Sequence, residues 1–149
     1  MSAIGDKAVE LAGKIADGYI CTAPSRRAVW RSLHKAGGEG KPSQGGAERS
    51  VHAADEATGR RTAHRIWPTQ GIKGEASQLL PLPRHFEELA EMVTEDEIAT
   101  PCGPDPEVHV KAIKEYVDAG FDEVYISQIG QEQDAFFRLL RQEVLPRLR

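Results

Sequence analysis

The chain has 149 residues, of which 40% are hydrophobic and 28% charged, with a formal charge of −4. That composition suits one soluble globular domain, and the scattered charge offers no basic stripe to neutralise phosphates, which argues against nucleic acid. Cys21 and Cys102 lack metal-type spacing and are too sparse for a disulfide framework, so a reducing cytoplasm fits best.

Met1 to Lys7 has neither the basic flank and apolar region nor the cleavage pattern of a signal peptide. No apolar run approaches the roughly 20 residues of a membrane-spanning helix. Asp6 to Ala16 reads as a helix, with Asp6 as N-cap and Val9, Leu11, Ala12, Ile15 and Ala16 at helical spacing. Asp17-Gly18 stops it, and Tyr19 to Thr22 is a short apolar run suited to a strand buried on both faces. A second helix spans roughly Arg26 to Lys35 and closes at Gly37-Gly38.

Glu39 to Gly46 reads as a loop, and Ala47 to Ala54 as a strand by position alone, since only Val51 is a good strand former. Asp55-Glu56 opens a helix ending with Arg60, Arg61, His64 and Arg65, acids early and bases late as the helix dipole prefers. Residues 68–84, rich in proline, form an irregular excursion, a lid or brace rather than core. His85 to Val93 is a short amphipathic helix, followed by a capping box of Thr94 and Glu97.

The clearest unit is last. Asp105 is an N-cap, Pro106 the first helical residue, Val110, Ile113 and Val117 an apolar stripe, and Gly120 the stop. Val124-Tyr125-Ile126 reads as a buried strand, and Glu132 to Arg141 as a closing helix with Phe136, Phe137 and Leu140. Alternating strands and helices predict parallel α/β architecture. With two good strands and one poor one, the chain cannot cover a sheet, whereas a full barrel of such units needs about 250 residues.

Three sets of residues carry a family resemblance: Ser2 to Ala8, then Leu11-Ala12-Gly13, then Ala16 to Thr22. Pro101 to Pro106, Tyr116 to Asp122, Gln128-Ile129-Gly130 and Leu145 to Leu148 continue it. In these the chain resembles the coenzyme F420-dependent branch of the luciferase-like monooxygenase superfamily, over nearly its whole length and more loosely at Gly45 to Ala54. The resemblance implies the C-terminal portion of a luciferase-like (β/α)8 TIM barrel, incomplete as a closed barrel. Residues 1–149 would be one partial domain, with Met1 at the end of a strand around the sixth. Family members transfer hydride between the deazaflavin C5 and a small substrate. Their proton-transfer groups, typically a His and a Glu, belong to the half absent here, so no catalytic residue is assigned.

The resemblance also places the phosphate side of coenzyme F420 at Ser2, Ala3, Ile4, Gly5, Asp6 and Lys7. Free amides at a helix start attract anions, Gly5 permits close approach and Lys7 adds charge. Asp6 counts against this, because relatives often have proline there and a carboxylate repels phosphate; plain capping by Asp6 is the alternative. Thr22, at a strand's C-terminal end, would lie near substrate, or its hydroxyl would simply satisfy backbone. The glucose 6-phosphate branch presents basic residues at positions aligned with Ser25, Ser77 and Ala99, none basic here, which puts sugar-phosphate oxidation in doubt; Arg26 is a nearby substitute.

Other constellations are set aside. His52, His64, His85 and His109 have no metal-motif spacing and read as solvated or capping residues. Ser25 and Ser127 lack a nearby His and acid, and the acid pairs at Glu95 to Glu97 and Asp122-Glu123 suit helix or strand starts. Trp30, Trp67, Phe136 and Phe137 read as core, or as surface that a missing half would cover. Two functions follow as expectations: an N-terminally truncated F420-dependent oxidoreductase, inactive alone, or a non-catalytic remnant acting as an interaction or oligomerisation module through open sheet edges.

Overall fold

The computed structural model describes residues 1, 6–21, 33–38, 40, 43–74 and 76–149, with the side chains of 43–48, 77 and 78 left aside. The chain divides into two compact units, the first made of Met1–Glu48, Val110–Ser127 and Leu148, the second of Arg49–His109, Gln128–Arg147 and Arg149. Three strands, β1 (Tyr19–Cys21), β2 (Ser43–Ser50) and β3 (Glu123–Gln128), form one sheet in the order β1-β2-β3. β1 and β2 are parallel, with Tyr19 opposite Ser43 and Cys21 opposite Gly45.

In the first unit, helix α1 (Asp6–Ile15) buries Val9, Ala12 and Gly13. Asp6 is the first helical residue rather than the cap expected of it. Gly13 is there because nothing larger fits: a Cβ would sit 2.6 Å from the Leu33 carbonyl oxygen. The wide turn His34–Gly38 ends the segment, with Gly37 at φ +98°, as expected of a glycine stop. Most of the predicted helix from Arg26 lies outside the described residues. Val9, Ala12, Tyr19, Cys21 and Leu33 form the core, with Ala16 and Phe121 against it. Met1 lies alongside β1, since its carbonyl accepts from the Ile20 N–H at 2.9 Å and its amine donates to Gly18 O at 2.7 Å.

β2 corrects two expectations. It starts at Ser43, within the predicted loop, and ends at Ser50, four residues before the predicted end. Backbone pairing to β1 needs no side chain, so Gly45 and Gly46 enter the ladder despite poor strand propensity. β3 is not buried on both faces: exposed and half-buried residues alternate, and Tyr125 is 49% exposed.

The second unit opens with α2 (Glu56–Ile66), which starts at Asp55-Glu56 as expected, with Asp55 as N-cap accepting from Thr58 N at 2.7 Å. The region 68–84 holds a tight turn at Pro68–Gly71 and a short helix α3 (Ala76–Leu79). Helix α4 (Pro83–Met92) begins two residues earlier than expected, on a proline suited to the first turn, and buries none of its residues. The turn Glu95–Glu97 carries the predicted capping contact, Thr94 N–H donating to the Glu97 carboxylate at 2.9 Å. Val51, Ala53, Ala63, Val93, Ile98 and Cys102 form the core.

Helix α5 (Pro106–Ala119) begins in the second unit and continues in the first. Asp105 caps it, accepting from Glu107 N at 3.0 Å, and Gly120 follows at φ +88°, both as predicted. Its buried stripe is His109, Val110, Ile113 and Tyr116; Val117 is exposed, because the stripe follows the 109–113–116 row. Helix α6 (Gln133–Leu139) is shorter than predicted, and the chain continues through a wider turn at Leu140–Val144 and a tighter one at Leu145–Arg147. Phe136 and Leu139 are buried, but Phe137 is 61% exposed, so only one of the adjacent aromatics serves as core.

Candidate functional site

The C-terminal ends of β2 and β3 lie side by side in the second unit, where Ile129 N–H donates to Ser50 O at 3.0 Å. Val51, the next residue, pairs in parallel with Cys102: its N–H donates to Pro101 O and its carbonyl accepts from Gly103 N, each at 2.9 Å. The Gln128 side chain then acts as a strand partner for His52. Its Oε1 accepts from His52 N–H at 3.0 Å, and its Nε2 donates to His52 O at 3.4 Å. Gln133 in turn donates to Gly130 O at 2.8 Å, fixing the chain that leaves β3.

Beneath these ends His109 is fully buried. Its Nε2–H donates to Gly103 O at 3.0 Å, so its Nδ1 is the acceptor for the Ser50 hydroxyl at 2.9 Å. Burial pushes its pKa below 6.5, partly offset by the Gly103 hydrogen bond, and the ring is therefore a neutral staple. This corrects the expectation of a solvated or capping residue: a histidine on the buried stripe of α5 was the signal for it. Gly103, at φ +103°, admits α2 close by; a Cβ there would be 3.1 Å from Glu56 N.

Above the staple opens a cleft of about 530 Å³, within the range of small-molecule sites. One wall is the face of α2 bearing Thr58, Thr62 and Arg65; the others include His52, Pro104 and Glu132. The Thr58 and Thr62 hydroxyls are engaged, donating to the Asp55 carboxylate at 3.2 Å and to Thr58 O at 2.9 Å. The charged groups are not. Among the described residues the Arg65 side chain has no ion pair, and Glu132 stands at the N-cap of α6 without capping it. Among the described residues the imidazole of His52 makes no hydrogen bond, and its Nδ1 is enclosed without a partner. This cleft was missed from sequence because its lining comes from segments some 80 residues apart.

Of the predicted cofactor residues, Ser2, Ala3, Ile4 and Gly5 lie outside the described residues, as does Thr22. Asp6 and Lys7 are exposed in the first turn of α1. Ser25 and Arg26 are likewise outside, Ser77 lies in α3, and Ala99 is exposed. The other predicted aromatics divide: Trp30 is outside the described residues, and Trp67 is exposed with the Arg49 guanidinium 3.9 Å over its ring. His64 contacts Val93 O at 2.7 Å. Among the described residues no helix is long and apolar enough to cross a membrane.

All of this chain aligns with the F420-dependent glucose-6-phosphate dehydrogenases of Microbacterium testaceum, 28% identical over 162 residues, and Nakamurella multipartita, 29% over 160. In sequence the chain is thus similar to F420-dependent dehydrogenases. It spans about half the length of these curated relatives, 48% and 47%. No family profile matches it.

The fold of these F420-dependent oxidoreductases is shared as well. An F420-dependent secondary alcohol dehydrogenase in complex with an F420-acetone adduct superposes at a TM-score of 0.70, with 17% identity, over 99% of this chain and 48% of that one. Coenzyme F420-dependent tetrahydromethanopterin reductase from Methanopyrus kandleri gives 0.62, with 23% identity, over 100% and 50%. The architecture is therefore that of part of a (β/α)8 barrel, with a sheet that does not close. In such barrels the strands' C-terminal ends carry the chemistry, and the cleft above β2 and β3 lies at those ends.

Proposed function

We propose that this chain is the C-terminal portion of a coenzyme F420-dependent oxidoreductase, an enzyme class that moves hydride between the deazaflavin and a small organic substrate. The observation that carries this reading is end-to-end similarity to F420-dependent dehydrogenases in both sequence and fold. The chain contributes residues 2–7 to the phosphate side of the cofactor and Thr22 to the substrate wall, and works in the cytoplasm. Lys7 supports the cofactor assignment: it is exposed in the first turn of a ten-residue helix whose position Val9, Ala12 and Gly13 fix by burial. Asp6 beside it opposes an anion and must turn its carboxylate away. When bound, the deazaflavin supplies the hydride chemistry; this chain supplies binding and orientation and has no assigned proton donor, so it is inactive alone.

The test is titration of the purified chain with oxidised coenzyme F420, followed by deazaflavin fluorescence, against a Gly5→Asp variant. Saturable binding that the variant loses is the expected result. No binding by a chain shown to be folded would overturn it.

A second reading, a non-catalytic module that associates with itself through open sheet edges, is favoured by the apolar side chains left in water. Leu79 and Met92 are each 74% exposed. Light scattering tests it: a stable, monodisperse monomer would rule it out.

A further inference from the structure

The cleft above β2 and β3 has a charge pattern that the protein itself does not use. Arg65 closes α2 with a guanidinium that is unpaired among the described residues, and Glu132 occupies a cap position without capping. His52 shares the lining with them, and among the described residues its imidazole makes no hydrogen bond, although two bonds with Gln128 fix its backbone. Ala53, Ala54, Pro104 and Gly130 bring no polar side chain to the lining, and Thr58, Thr62 and Gln131 bring neutral ones.

We propose that this cleft binds a small carboxylate that carries a second hydrogen-bond donor, a hydroxyl or an ammonium group. Arg65 takes the carboxylate, because its planar fork matches the two oxygens and, among the described residues, it is the one cation in the lining. Glu132 takes the donor, and His52 adds a further hydrogen bond to the ligand. The same carboxylate disfavours phosphate: a dianion held by one guanidinium would also meet the charge of Glu132. Thr58, Thr62 and Arg65 run along about 10 Å of one helix face, room for a ligand of several carbons. None of these residues belongs to 2–7 or is Thr22. Binding here therefore stands or falls without the cofactor.

The test uses the full chain without coenzyme F420 and follows the His52 imidazole signals by NMR, assigned with a His52→Gln variant. The probes are 4-hydroxybutyrate, 4-aminobutyrate, butyrate and inorganic phosphate. The expected result is a saturable His52 shift with 4-hydroxybutyrate or 4-aminobutyrate, with butyrate at least about tenfold weaker. Arg65→Ala should weaken binding at least about tenfold, about 1.4 kcal/mol, and Arg65→Lys less. Arg65 is exposed, so the amide spectrum can confirm that both variants fold. No saturable shift, binding indifferent to Arg65→Ala, or phosphate binding more tightly than every carboxylate would each overturn the proposal.

Discussion

The Ser50 hydroxyl donates to His109 Nδ1 at 2.9 Å, joining the last residue of β2 to the first turn of α5 across 59 positions of sequence. The opposite ring nitrogen holds Gly103 O, so one buried imidazole ties a strand end to the turn that receives α2. His109→Phe should fill the space beside Phe136 but orphan a buried hydroxyl and a buried carbonyl, costing about 2–4 kcal/mol in denaturant unfolding. A loss below the error of extrapolation would show that water replaces the ring.

The same histidine sets a pH dependence. Burial lowers its folded pKa below 6.5, so the unfolded chain binds the extra proton first. Stability from this site is fully present above about 6.5 and declines as pH falls toward the folded value, by at most about 1.4 kcal/mol per unit. Unfolding curves at pH 7.5 and 5.5 should show this decline, and His109→Phe should remove its part of the slope. An unchanged slope in the variant would assign the effect elsewhere.

The elements that were legible in the sequence are those whose signals are local. Asp105, Pro106 and Gly120 bracket α5 because caps and stops act within one turn, and Asp55 does the same for α2. β2 was misplaced because its identity comes from pairing with Tyr19–Cys21, not from its own glycine-rich residues. Phe136 and Phe137 differ by one position, and no pattern of two adjacent rings says which faces the core. The expectation for residues 2–7 rests on family resemblance alone, whereas the cleft was not legible at all. His52, Arg65 and Glu132 meet through tertiary structure, and their spacing follows no motif.

Glu97 joins two contacts at the turn after α4. The Lys73 ammonium donates to one carboxylate oxygen at 2.7 Å, the Thr94 amide to the other at 2.9 Å, and the carboxyl is held down at about 2. A lowered acid stabilises the fold above its ordinary 4.5, and that contribution is lost as pH falls from there toward about 2. Both groups are solvated, so the effect on stability is small and salt-sensitive. Lys73→Ala should move the NMR-detected titration of Glu97 upward, more at low salt than at high. No movement would leave Thr94, through its amide and its hydroxyl, as the cause.

Gly59 inverts an ordinary rule. Glycine in a helix normally costs about 1 kcal/mol relative to alanine, but a Cβ at Gly59 would lie 2.9 Å from the Cys102 Cβ and 3.2 Å from Gly103 N. Gly59→Ala should therefore destabilise, by about 1–3 kcal/mol, as α2 is pushed off the Val51–Cys102 pairing. Gly103→Ala adds backbone strain at φ +103° to its own close contact with Glu56 N and should be at least as costly. A Gly59→Ala protein that melts higher than the parent would refute this packing.

The two thiols report on the two units separately, Cys21 in the core of the first and Cys102 in that of the second. Burial raises the Cys102 thiol to about 11 against the pull of Arg60, and Sγ donates to Thr100 O at 3.1 Å. At pH 8 a thiol near 11 is only about 0.1% thiolate, against roughly a quarter for a free cysteine, and the thiolate is the nucleophile. Iodoacetamide should therefore leave Cys102 unmodified in the folded protein, and burial alone should slow Cys21. Across a denaturant series each cysteine then labels as its own unit opens, read by mass spectrometry of the peptides. Coincident labelling means the units unfold as one cooperative body; separated midpoints mean each core holds independently. Rapid labelling of Cys102 without denaturant would contradict the packing of Val51, Gly59 and Cys102 itself.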